Sequence, residues 1–426
     1  MKNIDILKNF TYIIFFPAIF FCLSSCQIFY GKNQDSKEYR LKNAIRINPK
    51  HELAYIRLAQ YLEKQNRFSE TLSILRLGQV NIPISITLVR LEGSLLQGLG
   101  TKEEFEMFYD KQIKKYPNNS LLYLDRARMR WRIEKKALAL ADARKSLKIK
   151  PDSFDALYLI GVILSNDSNS ISKEQLNKAL QMLISASEIN SNNPELWLRI
   201  SALWEKKNNI HMAKIAMIKA VEISPESEIY LRRLTIILEK EMDEADNENL
   251  SKISRTLKIT LLHMLKLFPK NSWVHAHYGN WALSEGKFQL AEKYLKNALR
   301  YKPIYPWAYF RLAFVYISQN KWNSALLSIE KGLIHDPENE WAHQNIGISL
   351  EMLGKNKEAI QHYERLIKID PKNIFLVNRL SNLYLNEFLF KKRENILLLG
   401  VKHFPLETNI IETLVNYYES HGLYEN

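Results

Sequence analysis

The sequence predicts an all-α fold, a solenoid of stacked helical hairpins, on three observations. The first is a 34-residue period: prolines stand at Pro269, Pro303, Pro337, Pro371 and Pro405. Gly279, Ala313, Gly347 and Ser381 keep the same period 24 residues before the later prolines, and Trp273, Trp307, Trp341 and Phe375 form a bulky series. The second is helical spacing within one period. Tyr309, Leu312, Ala313 and Tyr316 lie at i, i+3, i+4 and i+7, and after a turn at Asn320 a second helix carries Ala325, Ile329 and Gly332. The third is composition: 46% of residues are hydrophobic, while Gly and Pro number only 13 each in 426, which excludes a disordered or collagen-like chain. So strict a period signifies one structural unit repeated, and a repeat array grows lengthwise instead of splitting into globules.

Taken from the N-terminus, residues 1–25 read as a leader. Lys2 and Lys8 bracket a basic start, and Phe10–Leu23 is apolar. That run is about 14 residues, short of the roughly 20 that a spanning helix needs. Leu23-Ser24-Ser25-Cys26 follows and resembles the lipobox of bacterial lipoproteins. The resemblance implies cleavage before Cys26, acylation (including palmitate) of that cysteine, and residence in the cell envelope, with Gln27 favouring the outer membrane over the inner. An ordinary cleaved signal and an uncleaved anchor are the alternatives. Residues 26–36 are then the lipidated cysteine and its tether. The two cysteines, Cys22 and Cys26, both precede the repeats, so no disulfide framework holds the folded body.

From residue 37 to 426 the chain reads as repeats: a half unit over 37–51, ten full units over about 52–407 and a capping helix over 408–426. Ten of the 13 prolines fall on the ruler, which begins at Pro49. Two insertions interrupt it. Asn166–Lys173 is rich in Ser and Asn, Lys240–Asn249 is rich in acids, and each falls between the two helices of a unit, where it is expected to emerge as a loop or a helix extension. The terminal helix is expected to bury Ile411, Leu414, Val415 and Tyr418 and to turn Asn409, Glu412, Asn416 and Glu419 outward, as an open array end requires.

This pattern resembles the tetratricopeptide repeat. Its signs are a 34-residue unit, a small residue eight places into the first helix (Ala59, Gly93, Ala127, Gly161, Ser201 and the series above), and small residues in the second helix (Ala139, Ala179, Ala213, Ala291, Ala325, Ala359). The resemblance implies a right-handed superhelical solenoid. The second unit departs at Phe105 and Gln112 and the tenth at Arg393, where looser helix packing is expected.

In that family the first helix of each unit lines a concave channel, with places 2, 5, 6, 9 and 12 directed into it. Here place 6 reads Arg199, Arg233, His277, Arg311, Asn345 and Arg379. Place 2 reads Trp273, Trp307, Trp341 and Phe375, and places 5 and 9 add Phe310, Phe314, Asn280, Asn378 and Asn382. The expectation is a basic channel with an aromatic edge that takes an extended acidic protein segment through arginine forks and aromatic contact. Asn345 and Arg379 resemble part of the carboxylate-clamp set, which is otherwise incomplete. Two alternatives stay open: the Trp row packs on the neighbouring helix, and the Arg row is a solvated face.

The net charge of +14 favours anionic partners. A membrane-anchored scaffold in envelope assembly or secretion is the function expected, with a receptor for a polyanion such as an envelope polysaccharide as the alternative. Catalysis is not expected: the sequence holds no Gly-rich phosphate loop, Gly-x-Ser-x-Gly or His-Glu-x-x-His. No cofactor, metal site or nucleic-acid partner is expected either. His275 and His343 read as core residues, and the acidic insertion reads as a solvated loop.

Overall fold

The computed structural model describes residues 31–166 and 172–420. Cys26, the leader, most of the tether and the middle of the first insertion lie outside these residues. Among the described residues there are 22 α-helices and no strand. The first is α1 (Gly31–Ile47). Hairpins follow: α2–α3 (Glu52–Lys64, Phe68–Asn81), α4–α5 (Ile86–Leu99, Lys102–Lys115), α6–α7 (Ser120–Arg132, Lys136–Ile149) and α8–α9 (Phe154–Ser165, Lys173–Ile189). Then come α10–α11 (Pro194–Lys206, Ile210–Ile223), α12–α13 (Glu228–Glu244, Asn247–Leu267) and α14–α15 (Ser272–Ser284, Phe288–Tyr301). The last are α16–α17 (Pro306–Ser318, Trp322–Leu333), α18–α19 (Glu340–Met352, Asn356–Ile369), α20–α21 (Ile374–Asn386, Phe390–His403) and the single helix α22 (Thr408–Ser420). The chain forms two compact units divided after Ser191, and inside each unit every helix packs on the next. No described helix is long and apolar enough to cross a membrane.

Local chemistry explains where each helix starts and stops. Two residues after most ruler prolines stands a side chain that caps the next helix. Asn119, Asn271, Asn339, Asn373, Ser85 and Ser153 each accept a hydrogen bond from a backbone N–H of the first turn. Seven of the ten first helices end at place 15 in the left-handed region, whereas α4, α8 and α12 end with negative φ. Asn66, Glu134, Asn208, Gly286, Asn320, Gly354 and Phe388 have φ between 55° and 72°. The N–H after each of these residues donates five residues back, as from Arg67 to Leu62 (3.0 Å) and from Leu389 to Tyr384 (2.7 Å), which closes a Schellman turn.

Within a hairpin, small residues admit large ones. A Cβ on Gly279 would come within 2.8 Å of the Leu295 side chain, and one on Gly347 would overlap the Tyr363 ring. The six alanines of the second-helix series are fully buried. First helices α10, α14, α16, α18 and α20 bury places 3, 7 and 10, for example Val274, Tyr278 and Trp281.

Two expectations need correction. The terminal helix buries Ile410, Leu414 and Tyr417, whereas Ile411 and Tyr418 are half-buried and Val415 is 47% exposed. It keeps the register of the other first helices, places 3, 7 and 10, so its inner face lies one residue round from the expected one. The acidic insertion is not the solvated loop but takes the other expected form, a helix extension: it lengthens α12 and α13, and Glu241 ion-pairs with Lys214 at 2.7 Å. At the irregular second unit, Phe105 and Tyr109 fill the gap between α4 and α5, with ring centroids 4.6 Å apart. In the tenth, Arg393 reaches Ser381 Oγ at 3.4 Å, and burial holds its guanidinium below the usual range.

Candidate functional site

The residues expected to form a site belong to the second compact unit, on the first helices α10 to α20. Places 2, 6 and 9 are four and three residues apart, so they share one helix face, one residue round from the core places. Place 12, near the helix end, carries the second half of this face. Its side chain reaches place 6 of the following first helix.

That reach creates a ladder of ion pairs. Glu205 of α10 meets Arg233 of α12 at 2.9 Å. His277 of α14 donates Nδ1–H to Glu239 of α12, whose carboxylate oxygens lie at 2.8 and 3.0 Å. Glu351 of α18 meets Arg379 of α20 at 3.1 Å. Arg199 instead pairs along its own helix with Glu195 at 3.0 Å. Asn345 turns back to donate to the Trp341 carbonyl at 2.8 Å. Four of the six positions of the expected basic channel are therefore paired with a carboxylate from within. Arg311 differs: its guanidinium lies 5.2 Å from the Trp307 ring centroid, and Leu283 occupies the place 12 before it.

The place-2 aromatics lie one turn before these bases and support them. Trp273 sits 3.8 Å from His277, and His277 stacks on Trp307 at 4.8 Å, a run of three rings crossing from α14 to α16. Arg379 lies 5.2 Å over Phe375, and Arg232 lies 4.9 Å over Trp273. All four place-2 rings are half-buried. Trp341 and Phe375 pack one side on the core around Tyr363 and Ile346, and Trp273 packs on Leu231 and Val274. Packing and surface display are thus combined in one row. Beside it, burial pushes the Tyr305 phenol up to about 12, so this ring next to Trp307 stays neutral.

Places 5 and 9 divide. Phe310 does not line the face: it is buried, its ring filling the space where a Cβ on Gly332 of α17 would stand. Phe314 is 40% exposed and lies 6.4 Å from Trp341. Asn280 is half-buried, with Nδ2 3.4 Å from Glu239, while Asn378 and Asn382 are exposed on α20.

Two features escaped the sequence reading. The place-12 carboxylates were visible as Glu205, Glu239 and Glu351, but their meaning needs the offset between neighbouring first helices. The histidines at place 4 form a repeated device: Nε2 of His275 and of His343 each contacts the carbonyl of the proline six residues earlier at 2.9 Å. His343 also stacks on His362, with the two Nδ1 atoms 3.4 Å apart. Elsewhere, an open cleft of about 620 Å³ lies between α11, α12 and α13, lined by Asn209, His211, Lys214, Glu241, Asp246 and Lys252.

Tetratricopeptide-repeat models match residues 282–346 and 341–373. Human protein O-mannosyl-transferase TMTC3 is 23% identical over 392 residues, covering 87% of this chain. The chain spans only 41% of that relative's length, and the transferase activity in the name is that protein's. Among solved structures, the Cut9–Hcn1 hetero-tetramer of the APC/C is similar, with 10% identity, a TM-score of 0.43 and coverage of 91% of this chain and 93% of the other. The human IFIT1 dimer with m7Gppp-AAAA shares 16% identity at a TM-score of 0.40, over 92% and 94%.

Proposed function

We propose that this tetratricopeptide-repeat protein is a scaffold that seats an extended protein segment along the first helices of residues 194–386. Tetratricopeptide repeats typically bind protein partners, and this face has the means to do so. The observation that carries the reading is the aromatic row. Trp273, Trp341 and Phe375 are each packed on one side against the core and half-buried, and Trp307, also half-buried, is held by His277. Rings fixed in this way offer large contact area at small entropic cost, which is the property of binding hot spots. Asn378 and Asn382, exposed beyond them, are suited to hydrogen bonding a peptide backbone.

A photo-reactive residue in place of Phe314, in protein kept in its native membrane, tests the reading against the same residue in place of the exposed Ile334 just after α17. A protein adduct specific to position 314 and lost with Trp341→Ala is expected. Equal adducts at both positions would sink the proposal. Pairing of the Arg row with internal carboxylates removes the main argument for a polyanion receptor.

We further propose anchorage through acylated Cys26, on the strength of the lipobox resemblance, and a role in envelope assembly or secretion. Cys26→Ala is expected to move the protein from the membrane to the soluble fraction. Unchanged partitioning would count against the anchor.

A further inference from the structure

Among the described residues, one base on this face has no carboxylate partner, and its neighbours show what is missing. Place 12 supplies a carboxylate from Glu205, Glu239 and Glu351 to the next place 6. Before Arg311 the same place is Leu283. Among the described residues, no carboxylate lies within ion-pair distance of Arg311. The guanidinium rests instead over Trp307, whose ring is held in turn by His277 at 4.8 Å. A cation on a fixed aromatic floor keeps its forked N–H donors free in a set geometry, the arrangement that suits a carboxylate. One turn on, Phe314 and Trp341 form a partly exposed ring pair.

We propose that the partner segment supplies the missing carboxylate: a single Asp or Glu side chain, set among apolar residues, seats on Arg311. This rests on the protein-binding reading above and narrows it. Charge complementarity selects the ligand: the face asks for one acid at one position and apolar contact on either side, not an acidic run.

The test uses acetylated, amidated seven-residue peptide pools with Leu, Phe or Trp flanking a fixed central Glu, Gln or Lys. Binding to the full chain is read by fluorescence anisotropy. The Glu pool is expected to bind at least about tenfold more tightly than the Gln pool, the usual size of a charge-assisted hydrogen bond. Arg311→Gln should abolish that preference, and Arg311→Glu should transfer it to the Lys pool. Leu283→Glu rebuilds the absent rung from within and should compete with the ligand, lowering binding of the Glu pool. Circular dichroism checks that each variant folds, and the charge swap decides the matter if Leu283→Glu does not. If Glu and Gln pools bind equally, the carboxylate inference fails and the protein-binding reading stands. If no pool binds and heparin does, both fail. If neither pools nor heparin bind, the inference fails.

Discussion

Arg311 and Arg379 occupy the same place in their helices, stand over an aromatic ring at the same distance, and differ in what faces them. Arg379 neutralises Glu351, a side chain only 16% exposed. Arg379→Met is expected to lower stability by roughly 0.5–1 kcal/mol, in the range of partly exposed ion pairs. Arg311→Met should change it by less than about 0.5 kcal/mol. Urea denaturation measures both, and the reverse order would mean that the ladder is not what distinguishes them. His362 gives a second test at this scale. Burial, together with the neighbouring His343, holds its imidazole below the usual histidine range. The unfolded chain therefore takes up a proton first as pH falls. Stability contributed by neutral His362 is complete above about pH 7 and is lost progressively as pH drops through 6.5 toward the lower folded value. His362→Gln should flatten the pH dependence of the melting temperature between pH 7 and 5, whereas an unchanged slope would assign that dependence elsewhere. At this scale the sequence was only partly legible. It placed the Arg and Trp rows in the correct helices, but the role of Glu205, Glu239 and Glu351 was invisible without knowing which helix each one faces. Phe310 was misread because its burial depends on a glycine in another helix.

At the scale of the element, the turn between helices sets the hairpin angle, and seven of the ten hairpins share one left-handed form. Six of the seven left-handed turns have a polar or glycine residue at place 15, most often followed by Lys or Arg. The tenth unit has Phe388 followed by Leu389, and Phe388 is 77% exposed at φ 56°. A phenylalanine there carries steric strain that glycine does not. Phe388→Gly is predicted to raise stability by about 1 kcal/mol, read from the midpoint of urea unfolding. A loss would show that contact with Phe390, 6.3 Å away, outweighs the strain. Hairpins were the most legible part of the sequence, because helical spacing, closing prolines and small residues all repeat. The terminal helix shows the limit of pattern reading. Its apolar residues allow two faces, and only the register imposed by α21 selects Ile410, Leu414 and Tyr417.

At the scale of the whole chain, hairpins within each compact unit pack on their chain neighbours, so a disturbance is expected to stay local. Gly347→Val would drive a side chain into Tyr363 and should cost about 1–3 kcal/mol. Amide hydrogen exchange is expected to lose protection in α18, α19 and the helices packed on them, while α10 and α11 keep theirs. Uniform loss across the second compact unit would show that it unfolds as one body. The period in the sequence revealed the stacked hairpins directly, but not the division after Ser191, since the irregularity of the period before it is of the same kind as the one at Lys240–Asn249.

The unfilled rung at Arg311 also bears on a problem inherent to repeats. A surface that recurs every 34 residues offers an extended ligand several near-equivalent seats, each displaced by one hairpin, and nothing in a regular ladder tells them apart. Ligand sliding between such seats would dilute any single bound geometry. One unmatched charge breaks the degeneracy and gives the array an address, so that a segment with one acid has one alignment in which that acid is satisfied. The irregularity in an otherwise regular chain would then fix which residues of the partner lie over which helices, and in which order along the scaffold.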